Sequence, residues 1–308
     1  MSLKNLEDPI VHRLSEVAKG SPDLKDAAEI YMAILPLLRD ADLHASALSL
    51  TQEEATQKLE KGVSLLYGVD LDLDAGALHE LMLRLAMTVE KISRRKHNQT
   101  HLLSWMGGSR GPVSAAQRLR EAVEENRLDI CGLLPQVASG DREALASKAE
   151  SLGLDPGLVW VLSRNALKPA LYAWRRQLMP MVGAVRWQKG ICPVCGAGAT
   201  LGELQGNDQS KHLRCGQCGA DWPLRRLQCM YCGNDDHKTL SCLYAEGRYE
   251  NTRVEVCDRC NGYLKVIAAF SPTPPEMLPV EDLATLHLDY IAQGRGKAQW
   301  EQYLQGKN

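Results

Sequence analysis

The chain has 308 residues, enough for about two domains that each bury a core. Its 36 Lys+Arg against 38 Asp+Glu give a formal charge of -2, which excludes a chain drawn as a whole to nucleic acid or anionic lipid. Aromatic residues are 5% of the total, with Phe270 the single Phe, a composition that favours aliphatic helix packing over an aromatic-rich sandwich.

Met1 to Val11 carries Lys4, Glu7 and Asp8 and lacks the apolar run of a secretory signal, so a cytoplasmic protein is expected. Ser21-Pro22 reads as an N-cap and first helical position, and Ala27, Ile30, Tyr31, Ile34, Leu37 and Leu38 follow with period 3.6. Leu78 to Val89 predicts a second helix, with Leu78, Leu81, Met82, Leu85 and Val89 on one face. His79, His97 and His101 lack the spacing of a ligand set and read as ordinary surface or core residues. Arg94-Arg95-Lys96 reads as a solvated helix face. Gly107-Gly108-Ser109-Arg110-Gly111 has no Lys and no preceding strand, so it reads as an interhelical loop and not a phosphate cradle.

Asp155-Pro156 opens a further helix carrying Val159, Leu162, Ala166, Ala170, Ala173 and Trp174, with a kink expected at Pro169. The apolar segment around it contains Arg164, Lys168, Arg175 and Arg176, so no membrane insertion is expected. Seven to nine helices are expected before residue 188. Beyond Gly190 the texture changes to short strand-like runs: around Leu213, Trp222 to Leu227, Thr239 to Ala245, Thr252 to Cys257 and Tyr263 to Ala269. Ser271-Pro272-Thr273-Pro274-Pro275 breaks the chain, and Val280 to Ile291 predicts a closing helix.

The cysteines mark the same boundary. Cys131 alone precedes residue 191, and nine follow between Cys192 and Cys260. Eight form C-x-x-C pairs: Cys192/Cys195, Cys215/Cys218, Cys229/Cys232 and Cys257/Cys260, where independent placement of the cysteines gives about 0.3 such pairs. Two thiolates three positions apart on a tight turn grip one edge of a tetrahedral metal, and a second knuckle supplies the other edge. Spacing leaves interleaved pairing open. The shorter loops favour the sequential one, Cys192, Cys195, Cys215 and Cys218 as one site and Cys229, Cys232, Cys257 and Cys260 as the other. Gly196, Gly219, Gly233 and Asn261 each follow the second Cys of a pair, the place where positive φ is expected. Four thiolates suit either Zn(II) or a single rubredoxin-type iron. Cys131 and Cys242 have no such partner and read as small buried core residues.

The runs Cys192-Pro193-Val194-Cys195-Gly196, Leu213 to Cys218, Trp222, Leu227 to Cys232, Cys257 to Lys265 and Val280 to Leu286 together resemble the bacterial formate dehydrogenase accessory protein family, FdhE. The resemblance rests on roughly the last 120 residues, and the helical half shares mainly length and character. It implies a mixed, mainly α chain: a helical domain (1–188), two tandem rubredoxin-like or zinc-ribbon-like four-cysteine domains (189–227 and 228–270), then a linker and C-terminal helix (271–308). It implies two iron ions on those eight cysteines, with zinc as the alternative. It further implies a non-catalytic, cytoplasmic maturation factor that binds the molybdopterin catalytic subunit of formate dehydrogenase before twin-arginine export. Asn261 departs from the glycine that the family often shows at the fourth turn.

Three rival readings use the same residues. A zinc ribbon can simply hold a fold together. Tandem ribbons also bind nucleic acid, but Lys189 to Phe270 has 10 Lys/Arg against 9 Asp/Glu, and each tetrathiolate site subtracts from that +1, so counterion release would contribute little. A dithiol oxidoreductase uses one C-x-x-C within a βαβ context, which is not visible. Arg225-Arg226 lies between the two cysteine sets and reads as solvated, while Trp222, Tyr231 and Tyr263 are further candidates for a partner-binding face. No acid, base and nucleophile set stands outside the paired cysteines, so no enzymatic activity is expected.

Overall fold

In a computed structural model of the chain, residues 8–97, 112–133, 136–137, 141–245 and 251–299 are described. His101 and the Gly107–Gly111 run lie outside them, as does the side chain of His97. The chain divides into two compact units, one of Met1–Ala47 with Asp70–Trp174 and the other of Leu48–Val69 with Arg175–Asn308. Contacts thus partition the chain differently from composition, because a short segment near residue 60 belongs with the cysteine-bearing part.

Amphipathic periodicity and capping build the first unit. Helix α1 (Pro9–Gly20) begins where the Asp8 carboxylate accepts from Ile10 N at 2.9 Å, and it buries Ile10, Leu14 and Val17. Ser21 makes no capping bond; Pro22–Leu24 forms a 3-10 turn and α2 (Lys25–Asp40) starts after it. Helix α3 (Gln52–Glu60) belongs to the other unit and opens on a capping box between Thr51 and Glu54. In α4 (Ala75–His97) the expected stripe of Leu78, Leu81, Met82, Leu85 and Val89 is buried, and α5 (Pro112–Glu124) packs alongside. Glu90 joins the two, accepting from Arg94 at 2.6 Å and Arg120 at 2.7 Å. His79 is half-buried, and Arg94 and Arg95 are exposed. After α6 (Arg142–Ser151), α7 (Pro156–Val182) is capped by Asp155, which accepts from Leu158 N at 2.8 Å, and continues through Pro169. Among the described residues these are the seven α-helices before residue 188. No described helix is long and apolar enough to cross a membrane.

The second unit is organised by one sheet. Its strands are β1 (Leu201–Gln205), β2 (Ser210–Arg214), β3 (Asp221–Pro223), β4 (Leu240–Leu243), β5 (Thr252–Cys257) and β6 (Tyr263–Ala269), in the order β3-β2-β1-β6-β5-β4. Pairing is antiparallel within β1–β2–β3 and within β4–β5–β6, whereas β1 and β6 run parallel with Gly202 opposite Val266 and Gln205 opposite Ala269. The strands of the two cysteine segments therefore form one continuous sheet. The seam is tight at Gly202, where a Cβ would stand 3.0 Å from Leu264 Cδ2 and 3.1 Å from Val266 Cγ2, so that those side chains would have to give way.

Strands β5 and β6 have the bounds expected from sequence, and β3 is shorter. Strand β1 was not expected, because Gly202 and Glu203 interrupt its pattern. Glu203 is nevertheless fully buried, its charge met by the Arg214 guanidinium. The expected closing helix is two helices, α8 (Leu278–Ala284) and α9 (Leu286–Gln293), interrupted at Thr285, whose hydroxyl donates to Glu281 O at 2.7 Å. Leu288 and Ala292 of α9 pack with Val254, Val256 and Tyr263. Cys131 and Cys242 are not core residues: the first is half-buried and the second exposed, since position 242 lies in β4, the edge strand of the described sheet.

Candidate metal centres

Each C-x-x-C turn is closed by the same backbone bond. The N–H groups of Cys192, Cys215, Cys229 and Cys257 donate to the carbonyls of Ala197, Ala220, Asn234 and Gly262 at 2.7–3.0 Å. Closing so small a loop requires a left-handed residue after the second cysteine, and Gly196 (φ 83), Gly219 (φ 75) and Gly233 (φ 72) supply it. Asn261 adopts φ 58, so the fourth turn has the same handedness with the side chain that tolerates it best after glycine. Within the turns, N–H groups point at sulfur: Cys195 N lies 3.5 Å from Cys192 Sγ and Cys218 N lies 3.4 Å from Cys215 Sγ.

The sheet then brings knuckles together in the sequential pairing. Cys192, Cys195, Cys215 and Cys218 form one group and Cys229, Cys232, Cys257 and Cys260 the other, with all sulfurs of a group within 4.8 Å of one another. Across knuckles, Cys192 and Cys218 are 3.5 Å apart, Cys195 and Cys215 3.5 Å, Cys229 and Cys260 3.6 Å, and Cys232 and Cys257 3.8 Å. A tetrahedral ion with metal–sulfur bonds near ~2.3 Å places its sulfurs about 3.8 Å apart. Both groups can therefore hold a metal ion, and the donor set of four sulfurs suits iron or zinc alike.

The electrostatics also favour a cation. Burial pushes the Cys192 and Cys218 thiols well up, while Cys215 is held well down by hydrogen bonds from the other three thiols. In the second group, burial pushes Cys229 up to about 11 and raises Cys260 as well. Burial also opposes ionisation of Cys257, but the Cys260 N–H and the Asn234 amide outweigh it and bring that thiol below its usual value. Sulfurs this close cannot all ionise unless a cation shares their charge.

Around these groups lie residues that spacing did not single out. Asn234 Nδ2 donates to Cys257 Sγ at 3.5 Å and to Thr239 Oγ1 at 2.8 Å, tying the third knuckle to the fourth. Tyr231 donates to Tyr263 O at 2.6 Å. Of the side chains considered for a binding face, Trp222 and Tyr263 are buried, Tyr231 is half-buried, and Arg225 and Arg226 are exposed. Trp222 instead donates to Lys189 O at 2.9 Å, and Tyr263 to Asp289 at 2.9 Å.

The comparisons with known proteins agree with this geometry. Residues 227–303 match the family model for the C-terminal domain of FdhE. A "Protein FdhE homolog" of Stutzerimonas stutzeri is 34% identical over 183 residues, covering 57% of this chain and 59% of that protein. One from Aquifex aeolicus is 28% identical over 145 residues, covering 46% and 49%. The chain thus spans about half the length of the curated relatives it matches. The crystal structure of the FdhE protein from Pseudomonas aeruginosa superimposes with a TM-score of 0.58 over 98% of this chain and 95% of that one, at 22% identity, and so shares its fold. Over residues 227–303 the chain is thus similar in sequence to the C-terminal domain of FdhE, and it shares the fold of the FdhE crystal structure.

Proposed function

We propose that this chain is a non-catalytic accessory factor in the maturation of a formate dehydrogenase. In this reading it binds the molybdopterin-bearing catalytic subunit in the cytoplasm, before export, and each four-cysteine group holds one iron ion, with zinc as the alternative. The observation that carries the reading is the match of residues 227–303 to the FdhE C-terminal domain, in a chain whose paired cysteines gather into two tetrathiolate groups. Bound iron would supply one-electron redox chemistry, and bound zinc a cross-link alone. The residues' own part is to hold the ion and to position the surrounding sheet as a rigid surface. The segments 1–188, 189–227, 228–270 and 271–308 serve in this reading as helical part, first and second cysteine segments, and closing part.

The test is copurification of the tagged chain with the dehydrogenase subunit from anaerobic cells, with metal analysis and a visible spectrum. Retention of the subunit, lost on disrupting a knuckle, with two metal ions per chain, is the expected result. Salt-sensitive binding of DNA or RNA without subunit binding would overturn it.

A further inference from the structure

The two four-cysteine groups are built alike but enclosed differently. In the first group all four cysteines are buried. Its first knuckle is strapped by residues 64–66: Leu65 N and Leu66 N donate to Pro193 O at 2.8 Å and Val194 O at 2.9 Å, and Ser64 Oγ donates to Cys192 O at 3.0 Å. Its second knuckle is closed by Thr200, whose hydroxyl accepts from Gly216 N at 3.1 Å, and by Pro275, packed so tightly that a Cβ on Gly219 would stand 2.4 Å from it.

The second group is less enclosed, although its fourth knuckle is strapped too: Ala298 N donates to Asn261 O at 2.8 Å and Lys297 Nζ to Asp258 at 2.6 Å. Cys232 and Cys260 are only half-buried, and a Cβ on Gly233 would meet nothing nearer than Gln228 Nε2 at 3.8 Å. A cleft of about 110 Å³ has Cys229 and Cys257 in its wall, beside Met230, Tyr231 and Leu240.

We infer that the centres differ in access: Cys192, Cys195, Cys215 and Cys218 form a closed, structural centre, and Cys229, Cys232, Cys257 and Cys260 form the open one, where metal exchanges and thiol reagents arrive through Cys232 and Cys260. The inference rests on the reading that both groups hold a metal. Exchange at a tetrathiolate site needs an incoming ligand or a proton at sulfur, the proton replacing the metal on the thiolate. The open group offers sulfur to solvent with small fluctuations, whereas the closed group must first break the 64–66 strap or displace Pro275, a local unfolding with its own free-energy cost.

The experiment treats the full metal-loaded chain with excess chelator, follows metal content with time, and pulses samples with iodoacetamide for peptide mapping. Half of the metal should leave at least about tenfold faster than the rest, as expected when one site needs local opening and the other does not. Cys232 and Cys260 should be alkylated in that fast phase and Cys192 and Cys218 only in the slow one. Cys260→Ser should abolish the fast phase and keep the slow one, and the wild-type labelling order decides the question should that variant fail to fold. Loss of both ions in one phase, or labelling of Cys192 and Cys218 first, would overturn the inference and leave the two-centre reading standing. A chain purified under anaerobic conditions with no metal would sink both.

Discussion

In the helix-rich unit, α4 and α5 bury Leu78, Met82, Leu85, Leu119 and Val123, and the Glu90–Arg120 pair lies at the margin of that apolar seam with the Arg side chain partly exposed. In the sheet-bearing unit the interior holds charge and sulfur as well. Glu203 and Arg214 are 0% and 2% exposed, Lys265 is buried between Asp282 at 2.6 Å and Asp289 at 2.8 Å, and Lys211 meets Glu255 at 2.5 Å. These charged groups lie on or against short strands of three to seven residues, which also bury Leu201, Leu213, Val254 and Val266. The difference teaches that the first unit rests mainly on packed hydrocarbon, while the second adds to its apolar core several buried ions and sulfurs that must each find a partner.

The largest effect should come from the metal centres. Structural tetrathiolate sites contribute on the order of 10 kcal/mol apparent, comparable with the whole net stability of a domain. Cys215→Ser should open residues 189–299 to proteolysis while the far-ultraviolet helix signal and the protease resistance of the first unit persist. Parallel loss of both signals would break the comparison.

A matched pair of substitutions sharpens it. Arg214→Met strands the Glu203 carboxylate in the interior and should cost about 3–5 kcal/mol. Leu85→Ala removes hydrocarbon from a fully buried site and should cost about 2–5 kcal/mol. The distinguishing result is the double variant Glu203→Leu/Arg214→Met, which should recover much of the first loss, because an apolar pair of similar volume needs no partner. Urea midpoints measure all three. No recovery in the double variant would mean that the pair acts through something besides its charge.

These contrasts follow what the sequence made legible. The stripes of α4 and α7 and the cap at Asp155 are local patterns, readable because helix periodicity and capping involve residues within four positions, whereas the cap at Asp8 went unread and the one expected at Ser21 makes no capping bond. The eight paired cysteines were equally plain, since a C-x-x-C turn is itself local. Strand β1 was not, because Glu203 looks like a surface residue until Arg214, eleven positions on, is folded against it. The break at Thr285 was hidden within a continuous apolar stripe, and the exposure of Cys242 follows from its place on the edge strand. The unequal covering of the two centres also depends on distant partners: the 64–66 strap lies more than 120 positions from Cys192 in the chain.

A smaller effect concerns pH. Burial alone would raise the Asp221 carboxyl, but hydrogen bonds from His212 at 2.6 Å and Gln205 at 2.9 Å, with the nearby Arg214 charge, bring it below its ordinary 3.8. A carboxyl whose folded pKa is depressed adds stability above its unfolded pKa and loses it as pH falls through the folded one. Asp221→Asn should therefore cost about 1–3 kcal/mol at pH 7, with the gap to wild type closing below about pH 4. A gap independent of pH would show that the ionised form is not the stabilising one.

The smallest expected effect tests the turns themselves. Asn261 holds φ 58 where the other three knuckles use glycine, and its side chain accepts from Lys297 Nζ at 3.3 Å. Asn261→Gly relieves the left-handed conformation but loses that contact and loosens the unfolded chain, so the two effects nearly cancel and stability should change by less than about 1 kcal/mol. Asn261→Val keeps a β-branched side chain in a conformation it resists, so it should cost more than about 1 kcal/mol and weaken the second centre through Cys260. Chelator release of metal from the two variants makes the comparison: unchanged for glycine and faster for valine from the second centre alone. Equal release from both variants would show that the handedness of the fourth turn does not help to hold its thiols in place.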